Sequence, residues 1–252
     1  MPTTAPFERP IFFLDFDGTI TGRDAVDAIL DAYADRRWLA VEEQWRAGRI
    51  GSRACLRAQM ALVRASRHEL DELLDSVEVD EGFALLLDTC AAAGMPVYVV
   101  SDGFDYCIRR ILTRPGLRLG PRLERLRVIA SHLEPEGRRW RTDFPNPRGG
   151  CIHGCATCKP SVMAALNRGG CLSVFVGDGL SDRYAAEAAD LVLAKGTLAA
   201  HCRECGIEHV RYEGLAEVAA YLDEVLRWGV PEVVRTFLPS TYEGTLKKRG
   251  GR

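Results

Sequence analysis

The chain has 252 residues, of which 47% are hydrophobic and 27% charged, and its formal net charge at pH 7 is −2. This composition is typical of a globular protein and excludes a disordered chain, a collagen-like fibre and a disulfide-rich mini-protein. The near-neutral charge provides no global positive field that would attract nucleic acid or an anionic membrane. At about 150 residues per domain, the length corresponds to roughly 1.7 domains.

The N-terminal segment has no apolar core preceded by positive charge, which a secretory signal would need. No window reaches the roughly 18 to 20 consecutive apolar residues of a membrane span. We therefore expect a cytoplasmic protein with no membrane and no nucleic-acid partner. Residues 1–10 and 238–252 are expected to be flexible termini.

Four short apolar runs predict the strands of a sheet; they occupy residues 11–14, 96–100, 172–176 and 191–194. They are rich in β-branched and aromatic residues and alternate with helical patterns. This alternation predicts an α/β fold with a doubly wound, mostly parallel sheet. In such sheets ligands bind beyond the carboxyl ends of the strands, near the switch in strand order. Small or polar residues follow all four runs, so we expect the functional site there.

Two segments depart from this alternation. Residues 22–80 are rich in Ala, Leu, Arg, Asp and Glu at helical spacing, which predicts a small helical cap inserted after the first strand. Residues 126–144 alternate around a Glu-Pro-Glu-Gly turn, which predicts a β-hairpin excursion. The predicted organisation is therefore one α/β core, formed by 11–21 and 81–237, interrupted by the cap.

Two acidic pairs follow predicted strands. Asp15 and Asp17 come directly after the first strand, and Asp178 and Asp182 come after the third. Alone, Asp-x-Asp-Gly is more often a solvated turn, and an EF-hand is excluded because its later ligands are missing. Four carboxylates at one sheet edge would repel each other unless a cation lay among them, and hard oxygen ligands favour Mg²⁺. Carboxylates with magnesium indicate phosphate chemistry.

A lysine and a serine extend this constellation. The chain has 29 arginines and only 4 lysines, yet it keeps Lys159 at a helix start before Pro160, where the helix dipole disfavours a cation. A compact point charge beside phosphate is a reason to keep lysine there. Ser101, followed by Asp102 and Gly103, adds a hydroxyl and backbone N–H groups that suit an anion. On its own, Ser101 would be an ordinary helix cap.

Together these motifs resemble those of the haloacid dehalogenase superfamily of phosphotransferases. The resemblance covers residues 11–226, and the inserted cap is similar to that of the phosphoserine-phosphatase-like branch (subfamily IB). Within that branch, the Cys-rich run 151–159 followed by Pro160 and Ser161 resembles the 2-hydroxy-3-keto-5-methylthiopentenyl-1-phosphate phosphatase group of methionine salvage. The resemblance implies a Mg²⁺-dependent phosphatase acting on a small phosphorylated metabolite.

The resemblance also implies roles for the residues. Asp15 would be the nucleophile that forms an aspartyl-phosphate, and Asp17 would protonate the leaving group and then activate water. Asp182 would orient Lys159 or a metal-bound water. The expected phosphate-binding residues are Thr19, Ser101, Asp102, Gly103 and Lys159. The expected Mg²⁺ ligands are Asp15, the backbone carbonyl of Asp17, and Asp178.

Specificity is expected to come from the cap, and several functions stay open. Asp24 is a candidate substrate contact or a helix N-cap, and Phe104 is a candidate pocket residue or a core residue. The substrate candidates are the methionine-salvage enol phosphate, phosphoserine and a phosphate of specialised metabolism. A non-catalytic phospho-aspartyl or zinc-binding regulatory module is the alternative of another class. Both a monomer and a homodimer are compatible with the sequence.

A cluster of soft ligands precedes Lys159. The candidate zinc ligands are Cys151, His153, Cys155 and Cys158, together with the later pair Cys202 and Cys205. A structural Zn²⁺ that fixes the Lys159 loop is one hypothesis. Reduced loop thiols and a redox pair are the alternatives.

Overall fold

A computed structural model describes residues 10–228, and side chains within residues 10–224. The predicted flexible termini, apart from Pro10, and the end of the predicted core beyond residue 228 lie outside the described residues. Within residues 10–228, no helix has both the length and the apolarity needed to cross a bilayer.

Seven strands form one sheet in the described part of the chain, in the order β4-β3-β2-β1-β5-β6-β7. Their bounds are β1 Ile11–Leu14, β2 Val97–Phe104, β3 Leu126–Glu136, β4 Arg139–Asp143, β5 Ser173–Gly177, β6 Leu191–Ala194 and β7 Val210–Arg211. Neighbouring strands are parallel except for β3 and β4, which are antiparallel. The predicted fold class is therefore confirmed. β2 and β5 flank β1, so the strand order switches at the carboxyl end of β1, where a ligand site is expected.

The core helices pack on both faces of the sheet. Their bounds are α5 Phe83–Ala92, α6 Asp105–Thr113, α7 Lys159–Leu166, α8 Arg183–Ala188, α9 Gly196–Cys205 and α10 Leu215–Trp228, with 3₁₀ helices at Gly120–Arg125 and Leu180–Asp182. Alternate residues of β1 enter different apolar clusters: Phe12 and Leu14 enter one, and Ile11 and Phe13 enter the other. Because both faces of β1 are covered, its sequence is continuously apolar.

Four helices lie in the predicted cap: α1 Ala25–Tyr33, α2 Trp38–Arg46, α3 Ser52–Met60 and α4 Arg67–Asp75. The side chain of Asp24 caps α1 by accepting from the backbone amides of Val26 and Asp27. An antiparallel bridge between Thr21 and Val79 brings the two ends of the insertion together. An insertion whose two ends meet is what the predicted division into core and cap requires. The division itself stays a prediction.

The predicted hairpin is part of the main sheet. β3 pairs with β2 in parallel and with β4 in antiparallel orientation, so the hairpin forms one edge of the sheet. Trp140 on β4 is buried and donates from Nε1 to the carbonyl of Ala65 at 3.0 Å. The hairpin therefore supports the cap from the core side.

Candidate active site

Three carboxylates meet where β1 and β5 end. Oxygens of Asp15, Asp178 and Asp182 lie within 4.8 Å of one another. Asp15 follows β1 and Asp178 follows β5, so the parallel pairing of these strands brings the two side chains to one edge. Three of the four carboxylates predicted at this edge therefore lie together, with Asp182 joining from the adjacent 3₁₀ helix.

Lys159 is buried against this carboxylate group. Its Nζ lies 2.7 Å from Asp15 Oδ1 and 2.5 Å from Asp182 Oδ1, and its side chain is only 2% exposed. The other oxygen of Asp182 accepts from the backbone amides of Asp178 and Gly179, at 3.1 and 3.0 Å. Asp182 therefore holds Lys159 in place, and its own position is set by the turn after β5.

The charges in this centre are only partly balanced. Burial, then repulsion from Asp182, raises the pKa of Asp15 well above its ordinary value. The same two causes raise the pKa of Asp178 to about 6. Burial alone would lower the pKa of Lys159, but the charges of Asp15 and Asp182 outweigh it and raise that pKa. One lysine faces three carboxylates, so the centre suits an additional cation with hard oxygen ligands.

Thr19 has a different place from the one predicted. It is fully buried, and its hydroxyl donates to Asp178 Oδ1 at 3.0 Å. It is also not among the residues that line the cavity described below. The prediction that Thr19 binds phosphate is therefore corrected, since its hydroxyl orients Asp178. Gly18 lies beside it with a φ of +74°, and a Cβ atom there would collide with the Asp178 carboxylate.

β2 continues beyond its predicted end, so Ser101, Asp102 and Gly103 lie in the strand and α6 begins only at Asp105. Ser101 is 1% exposed, and its Oγ accepts from the Gly103 amide at 2.9 Å. The Asp102 carboxylate accepts from the Ser52 hydroxyl and from the Thr157 amide. The side chain of Asp102 is thus engaged by the cap and by the loop before Lys159.

Asp17 lies at the junction between the core and the cap. Its Oδ1 accepts from the Ala25 amide, at the start of α1, at 2.8 Å. Burial, followed by the negative charge of Asp24, raises the pKa of Asp17 well above its ordinary value. The Asp17 carboxylate is not part of the three-carboxylate group. Its environment favours a protonated carboxyl group that faces the cavity.

A cavity of about 580 Å³ lies between the core and the cap. Its core side is lined by Asp15, Asp17, Ser101 and Asp178. On the cap side the lining includes Asp24, Asp27, Glu42, Trp45 and Gln59. Burial, then repulsion from Asp24 and Glu42, raises the pKa of Asp27 to about 7. Asp24 is therefore the N-cap of α1 and also part of the cavity wall, and its contact with substrate stays a prediction.

The comparison with known proteins agrees with this site. Residues 12–187 match the family of haloacid dehalogenase-like hydrolases. The chain belongs to this family. The match spans both acidic pairs, Ser101 and Lys159, and it confirms the family that the motifs predicted.

Curated relatives and solved structures agree with the family. A 2-hydroxy-3-keto-5-methylthiopentenyl-1-phosphate phosphatase of Geobacillus kaustophilus is 30% identical over 211 residues, 82% of this chain and 93% of the relative. Its Bacillus pumilus counterpart is 28% identical over 221 residues, 86% of this chain and 93% of the relative. A substrate-bound phosphoserine phosphatase structure has a TM-score of 0.62 at 18% identity and covers 85% of this chain and 98% of that one. The predicted enzyme class, a phosphatase of the haloacid dehalogenase family, is confirmed.

Phe104 is not a pocket residue of this hydrolase. Its side chain is fully buried and packs against Phe144, with ring centroids 6.3 Å apart. It is not among the residues that line the cavity. The suggestion that it contacts substrate is wrong, because the register of β2 shifts between Val100 and Phe104 and the ring enters the apolar cluster that contains Val97 and Val99.

The zinc hypothesis is not supported. In the described part of the chain, the acidic group is the only cluster of three or more metal-ligating side chains. All nine cysteines are free thiols. Cys158 is buried, Cys202 is buried on α9, and His153 Nδ1 lies 2.8 Å from the Tyr184 hydroxyl. The ligand atoms do not converge, so the spacing of the two Cys-x-x-Cys pairs was misleading.

The sequence patterns did not reveal Ser52 or the acidic cap side of the cavity. These residues, Ser52, Asp27 and Glu42, lie on cap helices. The spacing of apolar residues in the sequence predicts the helices, but it does not show which core residues the helices will face. The only local pattern that could have drawn attention to Ser52 is its place after Gly51, at the start of α3. Its partner Asp102 is 50 positions away along the chain.

Proposed function

We propose that this phosphatase hydrolyses a small phosphomonoester through an aspartyl-phosphate on Asp15. The observation that carries the proposal is that Asp15 and Ser101 line the cavity at the switch point of the sheet, with Lys159 buried directly against Asp15. An oxygen of Asp15 attacks phosphorus in line, the ester oxygen departs, and water then hydrolyses the acyl phosphate.

Lys159 and Ser101 are the proposed phosphoryl ligands. An ammonium group has three N–H donors, and two of those of Lys159 face Asp15 and Asp182. We propose that the third donates to a phosphoryl oxygen beside Asp15 when substrate is bound. Because the lysine is held by carboxylates before substrate arrives, it stabilises the developing charge without reorganising.

Asp17 is the proposed general acid and base. The raised pKa favours the protonated form of the Asp17 carboxyl group, which can give its proton to the leaving alkoxide. The resulting carboxylate then takes a proton from the attacking water. The bond from the Ala25 amide to Asp17 Oδ1 leaves Oδ2 to carry out this exchange.

Mg²⁺ is the proposed cofactor, because hard carboxylate oxygens and incompletely balanced negative charge fit it. Asp15 and Asp178 would hold it, with the backbone carbonyl of Asp17 as a further ligand. When bound, the ion offsets the repulsion between Asp15 and the phosphate oxygens.

Removal of divalent metal is expected to stop turnover. EDTA treatment followed by desalting should abolish hydrolysis of p-nitrophenyl phosphate, since Asp15 would then face the phosphate without a compensating cation. Addition of MgCl₂ should restore the rate, and addition of ZnSO₄ alone should not. Full activity in EDTA would contradict the proposed cofactor.

The substrate that the relatives favour is 2-hydroxy-3-keto-5-methylthiopentenyl-1-phosphate, which their names specify. A panel of phosphorylated metabolites ranked by kcat/KM tests this assignment. The enol phosphate is expected to rank first. Trapping of a stable phosphoprotein without turnover would instead favour a phospho-aspartyl regulatory module.

A substrate with an amine, such as phosphoserine, is the second candidate. The cap side of the cavity carries Asp24, Asp27 and Glu42, and a cationic group there would relieve the repulsion that raises the pKa of Asp27. In the same panel, a higher kcat/KM for phosphoserine than for the enol phosphate would select this candidate. Both candidates use the same phosphoryl chemistry.

A further inference from the structure

The cap touches the core at a second place, beside the proposed phosphate site. There the N-terminus of α3 lies against the Cys-rich loop, residues 151–158, which ends immediately before Lys159. A Cβ atom on Gly51 would collide with the backbone carbonyl groups of His153 and Gly154. The amide of Arg53 donates to the Gly154 carbonyl at 3.1 Å. The backbones thus approach at a distance that only glycine allows.

One hydroxyl joins three segments at this contact. Ser52 Oγ donates to Asp102 Oδ2 at 2.5 Å and accepts from the Ala156 amide at 2.9 Å. Asp102 Oδ1 accepts from the Thr157 amide at 3.0 Å. We call these four residues, Ser52, Asp102, Ala156 and Thr157, the Ser52 clamp.

The Ser52 clamp lies between the two proposed phosphoryl ligands. Asp102 adjoins Ser101 in β2, and Thr157 is two residues before Lys159. Displacement of the clamp would therefore move both ligands relative to Asp15. Asp102 accepts hydrogen bonds from both the cap and the loop, so it is suited to hold the loop in place.

The cap does not need this contact to stay attached, because its other side has its own bonds to the core. The Tyr106 hydroxyl donates to Asp71 at 2.5 Å, and Arg110 Nε donates to Asp75 at 2.7 Å. The indole of Trp140 reaches the Ala65 carbonyl. These bonds hold α4, whereas the Ser52 clamp holds only the start of α3.

We propose that Ser52 is a positioning residue, which transmits docking of α3 to the phosphate site by fixing Asp102 and the loop before Lys159. The inference rests on the proposed function, since it concerns the geometry around the same phosphoryl group. It adds a role for the cap besides choosing the substrate. Ser52 also lines the cavity, but its hydroxyl is already engaged by Asp102 and by the Ala156 amide.

The test compares Ser52→Ala with two other variants, with p-nitrophenyl phosphate as the probe. Alanine is a good helix former, so the cap should still fold. Because a misplacement of about 1 Å can cost about a hundredfold in rate, we expect kcat to fall by about tenfold to a hundredfold, with a much smaller change in KM. Ser52→Thr keeps the hydroxyl and should restore most of the rate.

Ser66→Ala is the matched control. Ser66 is also a cap serine at a helix start, and its hydroxyl accepts from the Glu69 amide at 3.3 Å. It lies on the α4 side, which the other contacts hold. Loss of this helix cap costs about 1 kcal/mol of stability, but the kcat of Ser66→Ala should match that of the wild type.

Amide hydrogen exchange gives a readout that does not depend on activity. Ser52→Ala removes the acceptor of the Ala156 amide, so this amide should exchange faster even if Ser52 has only a local structural role. Faster exchange at Thr157 is the decisive signal, because its acceptor is Asp102 and not Ser52. Faster exchange at Thr157 than in Ser66→Ala shows that the bond to Asp102 loosens when the Ser52 hydroxyl is lost.

Two results would overturn the inference: an unchanged kcat in Ser52→Ala, or a reduced kcat with wild-type exchange at Thr157. Absence of turnover in the wild-type enzyme would instead refute the proposed function. The exchange at Thr157 would still decide whether the Ser52 clamp exists, so the two failures are distinguishable.

Discussion

The Asp15→Asn variant is expected to lose turnover by about 10⁴-fold or more, the scale seen when a catalytic nucleophile is removed. An amide oxygen is a poor nucleophile, so no phosphoryl group is transferred to residue 15. Rapid quenching and intact-mass spectrometry should detect a phosphorylated intermediate in the wild type and none in the variant.

The same change should not destabilise the fold. Burial and the charge of Asp182 raise the pKa of Asp15, which means that the native environment disfavours its ionised form. A neutral asparagine removes that repulsion, while Lys159 keeps its ion pair with Asp182. We therefore expect a Tm at least equal to that of the wild type.

Asp88→Asn is a suitable control for Asp15→Asn. Asp88 lies on α5, where it pairs with Arg122 at the surface, and it does not line the cavity. This variant should retain wild-type turnover and phosphoenzyme formation. Turnover of Asp15→Asn close to the wild-type rate would contradict the assignment of the nucleophile.

Lys159→Met is expected to reduce both stability and activity. It leaves the buried Asp15 and Asp182 without their cation, and breaking a buried ion pair on one side costs about 3–5 kcal/mol in the free energy of unfolding. Loss of one preorganised donor to the transition state should lower kcat by about 10²–10³-fold. Urea unfolding in EDTA and steady-state kinetics in Mg²⁺ measure the two effects.

The stability loss in Lys159→Met should shrink as the pH falls. Protonation of Asp15, whose pKa is already raised, removes negative charge that the lysine no longer balances. Added Mg²⁺ should also restore part of the stability, because it places positive charge among the same carboxylates.

Lys195→Met provides the matched control, since Lys195 is the other lysine in the described residues. Its Nζ lies 5.3 Å from the centroid of the Tyr212 ring, and its positive charge also acts on Asp178, but it forms no ion pair with Asp15 or Asp182. We expect the free energy of unfolding to fall by about 1 kcal/mol or less, which is the scale of an exposed cation–π contact. Equal losses in the two lysine variants would contradict the role given to Lys159.

The sequence by itself determined the class of fold and the central chemical groups of this protein. Buried parallel strands need continuous apolar runs, so β1, β5 and β6 were visible directly. Their carboxyl ends share one edge, which is why Asp15 and Asp178 could be placed together before any coordinates. Lys159 was conspicuous because lysine is rare in this arginine-rich chain.

Only the tertiary structure decided what each neighbouring side chain does. The direction of a side chain depends on strand register, and β2 extends to Phe104, which turns that ring into the core and places Asp102 against Ser52. Thr19 orients Asp178 instead of facing the cavity. The cysteine spacing predicted zinc, but a tetrahedral site requires convergence in space, which spacing along the chain does not guarantee. Contacts between residues far apart in sequence, such as the Ser52 clamp, are set by how the cap docks on the core, and no local pattern encodes that.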